Sequence, residues 1–367
     1  MTEGEDNGRL RALTEAGVSI WLDELSRDIL ENGEFERLVR SSSVVGVTTN
    51  PTIFANAIAR SSRYAPQLKR LAGNGIDVTE SVRALTIRDV QQAADVLRPI
   101  WEKTDGVDGR VSLEVSPELA GDTDATIADA IQLWELVDRP NLMVKIPATR
   151  AGVRAVSGAL AAGVNVNVTL VFSPRRCAEV GEAFVDGLER ARENGHDLAA
   201  VHSVSSLFVS RVDTEVDRRL DVMGVPEMRG RAALANARLA HEALAAVWVS
   251  PRWQSLAADG ARPQRLLWAS TGVKDPSFPD TKYVTGLVTH GTVSTMPPTT
   301  LSAFADHGEL AADRVVGLGK EAAADLAAVA AAGIDLDDVY DTLEREGVAK
   351  FAASWRALHA SASAFLG

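Results

Sequence analysis

Residues 142–149 read LMVKIPAT, a single lysine set among seven uncharged residues. Lysine is among the side chains least often fully buried, so an ammonium inside what otherwise reads as a core strand asks for a chemical reason. In a strand, residues of equal parity share a face. Parity sets Lys145 against Val144 and Ile146, and Asp23 with Ser19 and Trp21 against Val18, Ile20 and Leu22. Glu114 opposes Leu113 and Val115, while Thr169 joins Asn165 and Asn167 against Val164, Val166, Val168 and Leu170. Asn50 and Ser270 close their own runs in the same way. One inward lysine with a carboxylate could be a structural ion pair. Lysine, aspartate, glutamate, asparagine and threonine converging from separate strands are harder to explain as packing, because each buried polar group without a partner costs about 1–3 kcal/mol. An amine flanked by carboxylates and hydroxyls is equipped for Schiff-base chemistry on a carbonyl. Dry surroundings favour a free amine over an ammonium, and nearby carboxylates push the other way.

Other chemistries find less support. No histidine falls among the inward positions, which leaves neither a histidine-based triad nor a histidine-held metal. His202 has the parity of Ser206 but lies a turn deeper and reads as core; His290 and His307 fall in connections, and His196, His241 and His359 on helix or loop surface. Cys177 is the one cysteine. That excludes an internal disulfide and the usual zinc and iron–sulfur ligand sets, and its helical context reads as a packed thiol. The glycine-rich dinucleotide fingerprint and the phosphate loop are both absent, so neither a cofactor nor a metal is expected. A net charge of −12 argues against nucleic-acid and acidic-membrane partners. With no apolar stretch behind a basic start in MTEGEDNGRLRAL, and no run of about 18 apolar residues, the expectation is a soluble, cytoplasmic protein. No feature of the sequence sets an oligomeric state.

The elements that must position these residues alternate between short strand-like runs and longer segments of helical period, the signature of repeated βα units. The runs are residues 18–23, 44–50, 111–117, 142–149, 164–173, 201–208, 266–271 and 291–297. Eight such units predict an α/β fold, a (β/α)8 barrel with additional helices and a helical C-terminal tail. In it the outward strand face is apolar and the inward residues at the strands' C-terminal ends floor the active site. The 367 residues read as one barrel domain, 1–367, with helical insertions around 51–110 and 209–265. An alanine-rich tail, 309–367, is expected to pack over the outside or across one mouth. In the sixth run Ser203 and Ser205 face the helices if Ser206 and Phe208 face inward.

The segments SIWLDELSRD, GVTTNPTIF, VSLEVSP, LMVKIPAT, NVNVTLVFS, SVSSLFVSRVD, LLWASTGVKDP and TVSTMPPTTLSAFADHG, in that order from about residue 18 to 310, resemble the transaldolase family, most nearly its long bacterial form. The resemblance implies a class I aldolase-type barrel acting on sugar phosphates without a metal, transferring a dihydroxyacetone unit. It implies that Lys145 forms the Schiff base and that Asp23 is the acid/base at the hydroxyl where the carbon–carbon bond breaks. Glu114, through a water held by Thr169, would move protons as the carbinolamine forms and dehydrates. Asn50 and Ser206 would bind the dihydroxyacetone hydroxyls, and Arg211 the phosphate. The chain departs from the family in placing Gly272 two residues beyond Ser270, where an arginine is often found, with Lys274 as the next cation. SSLF also replaces the more familiar serine–proline pairing at Ser206. An aldolase releasing free dihydroxyacetone from fructose 6-phosphate is the nearest rival, and a barrel without catalysis is the rival of another class.

Overall fold

The computed structural model describes residues 7–310 and 312–363. The first six and last four residues, on which parts of the N-terminal and tail expectations fall, lie outside the described residues. The eight expected strands are β1 (Val18–Leu22), β2 (Val44–Thr48), β3 (Arg110–Glu114), β4 (Leu142–Pro147), β5 (Val166–Val171), β6 (Ser203–Phe208), β7 (Arg265–Ala269) and β8 (Thr292–Met296). They pair in sequence order, all parallel, and β8 returns to β1 to close the barrel. Helices surround it, making this a (β/α)8 barrel.

Most strands end before the uncharged run does, for a local reason. Asn50, Thr149 and Ser173 leave the ladder to cap the next helix, accepting from the backbone N–H of Ile53 (3.0 Å), Gly152 (3.0 Å) and Arg176 (3.1 Å). A short polar side chain at that position satisfies a donor that the first helical turn leaves open. The loops that floor the mouth are therefore also helix starts.

The lumen is filled rather than hollow. At its lower end Arg265 meets Asp108 at 3.0 Å, and Ser19 donates to the same carboxylate at 2.9 Å. Further up, Asn167 donates to Ser112 (3.1 Å) and accepts from Ser206 (2.6 Å). Trp21 is fully buried beside Gly46, where an added Cβ would fall 2.5 Å from the indole nitrogen. Glycine at that lumen position makes room for the ring. On β6 Ser206 bonds across the lumen, and Ser205 accordingly faces Cys177 of the helix Pro174–Glu193. Burial pushes that thiol up to about 12, a packed and unreactive cysteine.

Three expectations need correction. Leu170 does not continue the outward face of β5. The register shifts between Val168 and Val171, and Leu170 adopts φ +57°. That left-handed conformation is costly for leucine; here it turns the side chain against Gly347 of the C-terminal helix Leu336–Ser363, where an added Cβ would fall 2.9 Å from a Leu170 methyl. His202 is half-buried at the lower end rather than core, and burial, with the Arg110 guanidinium nearby, holds its imidazole neutral at about 3. His241 and His359 are half-buried rather than surface residues, both with the imidazole pushed down by burial.

Of the two placements expected for the tail, the C-terminal helix takes the mouth. Its Ser354 shares a hydrogen bond with Thr52 at 2.6 Å, and Glu344 pairs with Arg176 at 3.2 Å. Asp338 pairs with Arg219 at 2.6 Å, and Tyr340 donates to Asn236 at 2.8 Å. These partners belong to four different helices of the outer ring, so the segment is clamped from several sides.

Candidate active site

Lys145 is buried, and its ammonium stands 2.5 Å from the Glu114 carboxylate on the adjacent strand. The same ammonium donates to the backbone carbonyl of Thr49, at the end of β2. Thr49 also reaches Glu114 through its hydroxyl at 3.3 Å. Burial raises the Glu114 carboxyl above its ordinary range, with the lysine's charge opposing. A carboxyl raised in this way is a competent acceptor for the lysine's proton. Passing a proton across 2.5 Å would give a neutral acid beside a free amine, the form of lysine that can add to a carbonyl.

Every other residue expected at the site lines one cavity of about 180 Å³ at the C-terminal end of the barrel: Asp23, Asn50, Thr169, Ser206, Arg211, Ser270 and Lys274, with Lys145 at its floor. Glu114 opens instead on a tighter space of about 30 Å³ beneath Trp355 and Leu358 of the C-terminal helix. That is room for about one water. Lys145 thus stands between Glu114 and the main cavity.

Asp23 lies one residue past β1, its N–H donating to Met296 at 2.8 Å. Thr48 donates to its carboxylate at 2.9 Å, and Thr295 shares the Thr48 hydroxyl at 2.9 Å. Asn50 spends its carbonyl oxygen on the Ile53 cap, which leaves its amide N–H2 to a ligand. Arg211 opens the helix Ser210–Met223 and lies over the Phe208 ring at 4.8 Å. Burial lowers its pKa somewhat, with Asp23 opposing, and a guanidinium so placed keeps its charge. Ser270 holds a left-handed φ of +56° just past β7 and shares a 2.9 Å hydrogen bond with Ser210. Strain of this kind persists where the surroundings fix the conformation, and here it ties the Ser270 turn to the helix carrying Arg211. Two residues further into that helix, Asp213 accepts from Lys282 (2.8 Å), Tyr283 (2.9 Å) and the Ala233 N–H (2.7 Å). The loop bearing Lys274 is anchored through this network and through the Arg229–Asp275 ion pair.

Sequence reasoning missed several members of this set. Thr48 has the parity of Asn50 and could have been found by the same count. Thr49 meets the lysine through a backbone carbonyl, which leaves no mark in composition. Lys350 and Phe351 reach the cavity from the C-terminal helix, where strand parity says nothing.

A closed parallel barrel with a buried lysine–carboxylate pair at the floor of a polar cavity has the build of a lysine-dependent carbonyl enzyme. Comparison with known proteins narrows that class. The family described as Transaldolase/Fructose-6-phosphate aldolase matches residues 20–362. A transaldolase of Acidothermus cellulolyticus is 58% identical over 96% of this chain and 95% of its own. One from Thermobifida fusca is 56% identical over 95% and 96%, and one from Mycobacterium tuberculosis 54% identical over 96% and 95%. The chain belongs to the transaldolase/fructose-6-phosphate aldolase family. No helix among the described residues is long and apolar enough to cross a membrane, and no cluster of metal-ligating side chains occurs among them.

Proposed function

We propose that Lys145 carries a dihydroxyacetone unit as a Schiff base and that the residues around it divide the proton transfers of a transaldolase reaction. The chain is an enzyme of the transferase class. Its reaction moves dihydroxyacetone from sedoheptulose 7-phosphate to glyceraldehyde 3-phosphate, giving erythrose 4-phosphate and fructose 6-phosphate. A cytoplasmic setting goes with such substrates. The observation that carries the assignment of roles is the buried Lys145–Glu114 pair beside a cavity that also holds Asp23 and Arg211.

In the first step the Lys145 amine adds to the ketose carbonyl, the neutral Glu114 acid protonates the carbonyl oxygen as it gains charge, and Glu114 recovers the proton that the nitrogen then releases. Water then leaves the carbinolamine as Glu114 returns a proton, with Thr169 holding the water. The resulting iminium is an electron sink. Asp23 removes the proton of the hydroxyl on the carbon beyond the bond to be broken. That bond's electron pair moves into the iminium, and an aldose departs. The enamine left on Lys145 attacks the aldehyde of the incoming aldose, Asp23 gives the proton back, and hydrolysis frees the new ketose. Asn50, Ser206 and Ser270 present hydrogen-bonding groups to the three-carbon unit, and Arg211 presents a planar fork to the phosphate.

Two measurements separate this reading from its alternatives. Arg211→Ala is expected to raise the KM for fructose 6-phosphate by roughly 2–4 kcal/mol in lost binding, while an unphosphorylated donor suffers much less. Equal losses for both would make Arg211 structural. The second measurement concerns release against transfer. An enamine is discharged by an aldehyde or by a proton, so a transferase must withhold the proton until the acceptor arrives. Phe208 presents an apolar wall to the cavity, packed on Phe172 at 5.5 Å. Fructose 6-phosphate alone should give only traces of dihydroxyacetone, with rapid sedoheptulose 7-phosphate on adding erythrose 4-phosphate. Phe208→Tyr should raise the release-to-transfer ratio, because a phenol can deliver a proton or position a water. Release as fast as transfer in the unaltered protein would favour the lyase.

A further inference from the structure

We infer that Lys350, presented by the C-terminal helix, is a direct ligand of the substrate phosphate and forms with Arg211 and Lys274 a seat of three cations. The inference rests on the reading that a sugar phosphate occupies the cavity with its phosphate toward Arg211.

The three side chains line the same space but come from unrelated elements: the start of the Ser210–Met223 helix, the loop after β7, and the Leu336–Ser363 helix. Lys274 folds back so that its ammonium lies 3.8 Å from where a Cβ on Gly272 would stand. It takes the space a larger side chain at 272 would enter, and Lys350 faces the cavity from the covering helix. Among the described residues, none of the three has a carboxylate within ion-pair distance. In contrast, Arg176, Arg219, Arg229 and Arg265 all have one, in a chain of net charge −12. The cations are near enough to act on one another: after burial, Arg211 and Lys274 are what push the Lys350 ammonium's pKa down. Gathering like charges without a counterion is unfavourable, and a bound dianion reverses the sign of the interaction.

The helix that carries Lys350 is also held in place. Its ties to Thr52, Arg176, Arg219 and Asn236, and the close approach of Gly347 to Leu170, set its position over the mouth. Lys350 stands at the rim, exposed by its accessible surface yet partly desolvated where it faces the cavity, with its neighbour Phe351 buried. A flexible stem on a fixed helix suits a point charge closing over a phosphate that enters from solvent, whereas Arg211 supplies the deeper, planar contact.

The test uses the full-length enzyme with unphosphorylated glyceraldehyde as acceptor, so that only the donor carries phosphate. In Lys350→Met the preference for fructose 6-phosphate over fructose, as a ratio of kcat/KM, should fall about tenfold. The inhibition constant of inorganic phosphate should rise by a similar factor, and Lys350→Arg should restore most of both. Borohydride trapping of fructose on Lys145 checks that the variants are folded and keep their chemistry. An unchanged preference in Lys350→Met, beside a large loss in Arg211→Ala, would overturn the assignment and leave the parent reading standing. So would a loss that disappears at about 0.5 M salt, because a charge that only steers substrate through solvent is screened there. If Arg211→Ala also keeps the preference, the phosphate binds elsewhere and both readings fall together.

Discussion

Lys145→Met is expected to abolish transfer, with kcat lowered roughly 10⁴-fold or more, because the other amines lining the cavity, Lys274 and Lys350, have no carboxyl within ion-pair distance among the described residues to take their proton. The unaltered enzyme, incubated with fructose 6-phosphate and reduced with borohydride, should carry a three-carbon or six-carbon adduct on the peptide containing Lys145. The variant should carry none. Methionine is chosen because it fills much the same volume, but it leaves Glu114 buried without its ion partner. An ionised carboxylate stranded in this way would cost about 3–5 kcal/mol. Burial already raises the Glu114 carboxyl, so it should take up a proton and be accommodated as the neutral acid. The double variant Lys145→Met, Glu114→Gln removes even that cost and should fold while remaining inactive. An adduct on Lys274 or Lys282 in the unaltered enzyme would overturn the mechanism.

Lys145, Asp23, Glu114 and Thr169 were legible in the sequence for one reason. A parallel barrel must turn one face of every strand to its helices, so a polar residue of the other parity near a strand's C-terminal end has only the lumen to enter. The limits of that argument are equally physical. Asn50, Thr149 and Ser173 read as strand because they follow apolar runs, but each spends its side chain on a helix cap. Leu170 carries no mark of its left-handed turn; that turn packs the side chain against a helix far away in sequence. Lys350 was invisible on the same grounds. Its helix has an ordinary charged surface pattern, and only tertiary packing brings one of those charges to the cavity. Parity arguments find what a strand presents, and miss what a distant helix brings to the same space.

Asp23→Asn should separate bond breaking from imine formation. The Asp23 carboxylate can only accept hydrogen bonds, so Thr48 must donate to it, and Thr295 in turn must donate to Thr48. The chain of hydroxyls fixes one carboxylate oxygen and leaves the other to the cavity. An asparagine can accept the same Thr48 hydrogen bond through its carbonyl oxygen, so the local geometry should survive. It cannot take up the substrate's hydroxyl proton. Turnover should therefore fall about 10²–10⁴-fold, the usual contribution of a positioned base. Lys145 and Glu114 are untouched, and the imine should still form. Its fate then reports on Asp23 directly. Borohydride should trap mainly the uncleaved six-carbon phosphorylated adduct in Asp23→Asn, whereas the unaltered enzyme should give a substantial three-carbon share. Thr48→Val should sit between the two, losing about tenfold, since it keeps the base and removes one hydrogen bond that orients it. A three-carbon adduct accumulating in Asp23→Asn as fast as in the unaltered enzyme would assign the cleavage step to another group. The phosphorylated six-carbon species, held on Lys145 and unable to break, is what the geometry at Asp23 requires.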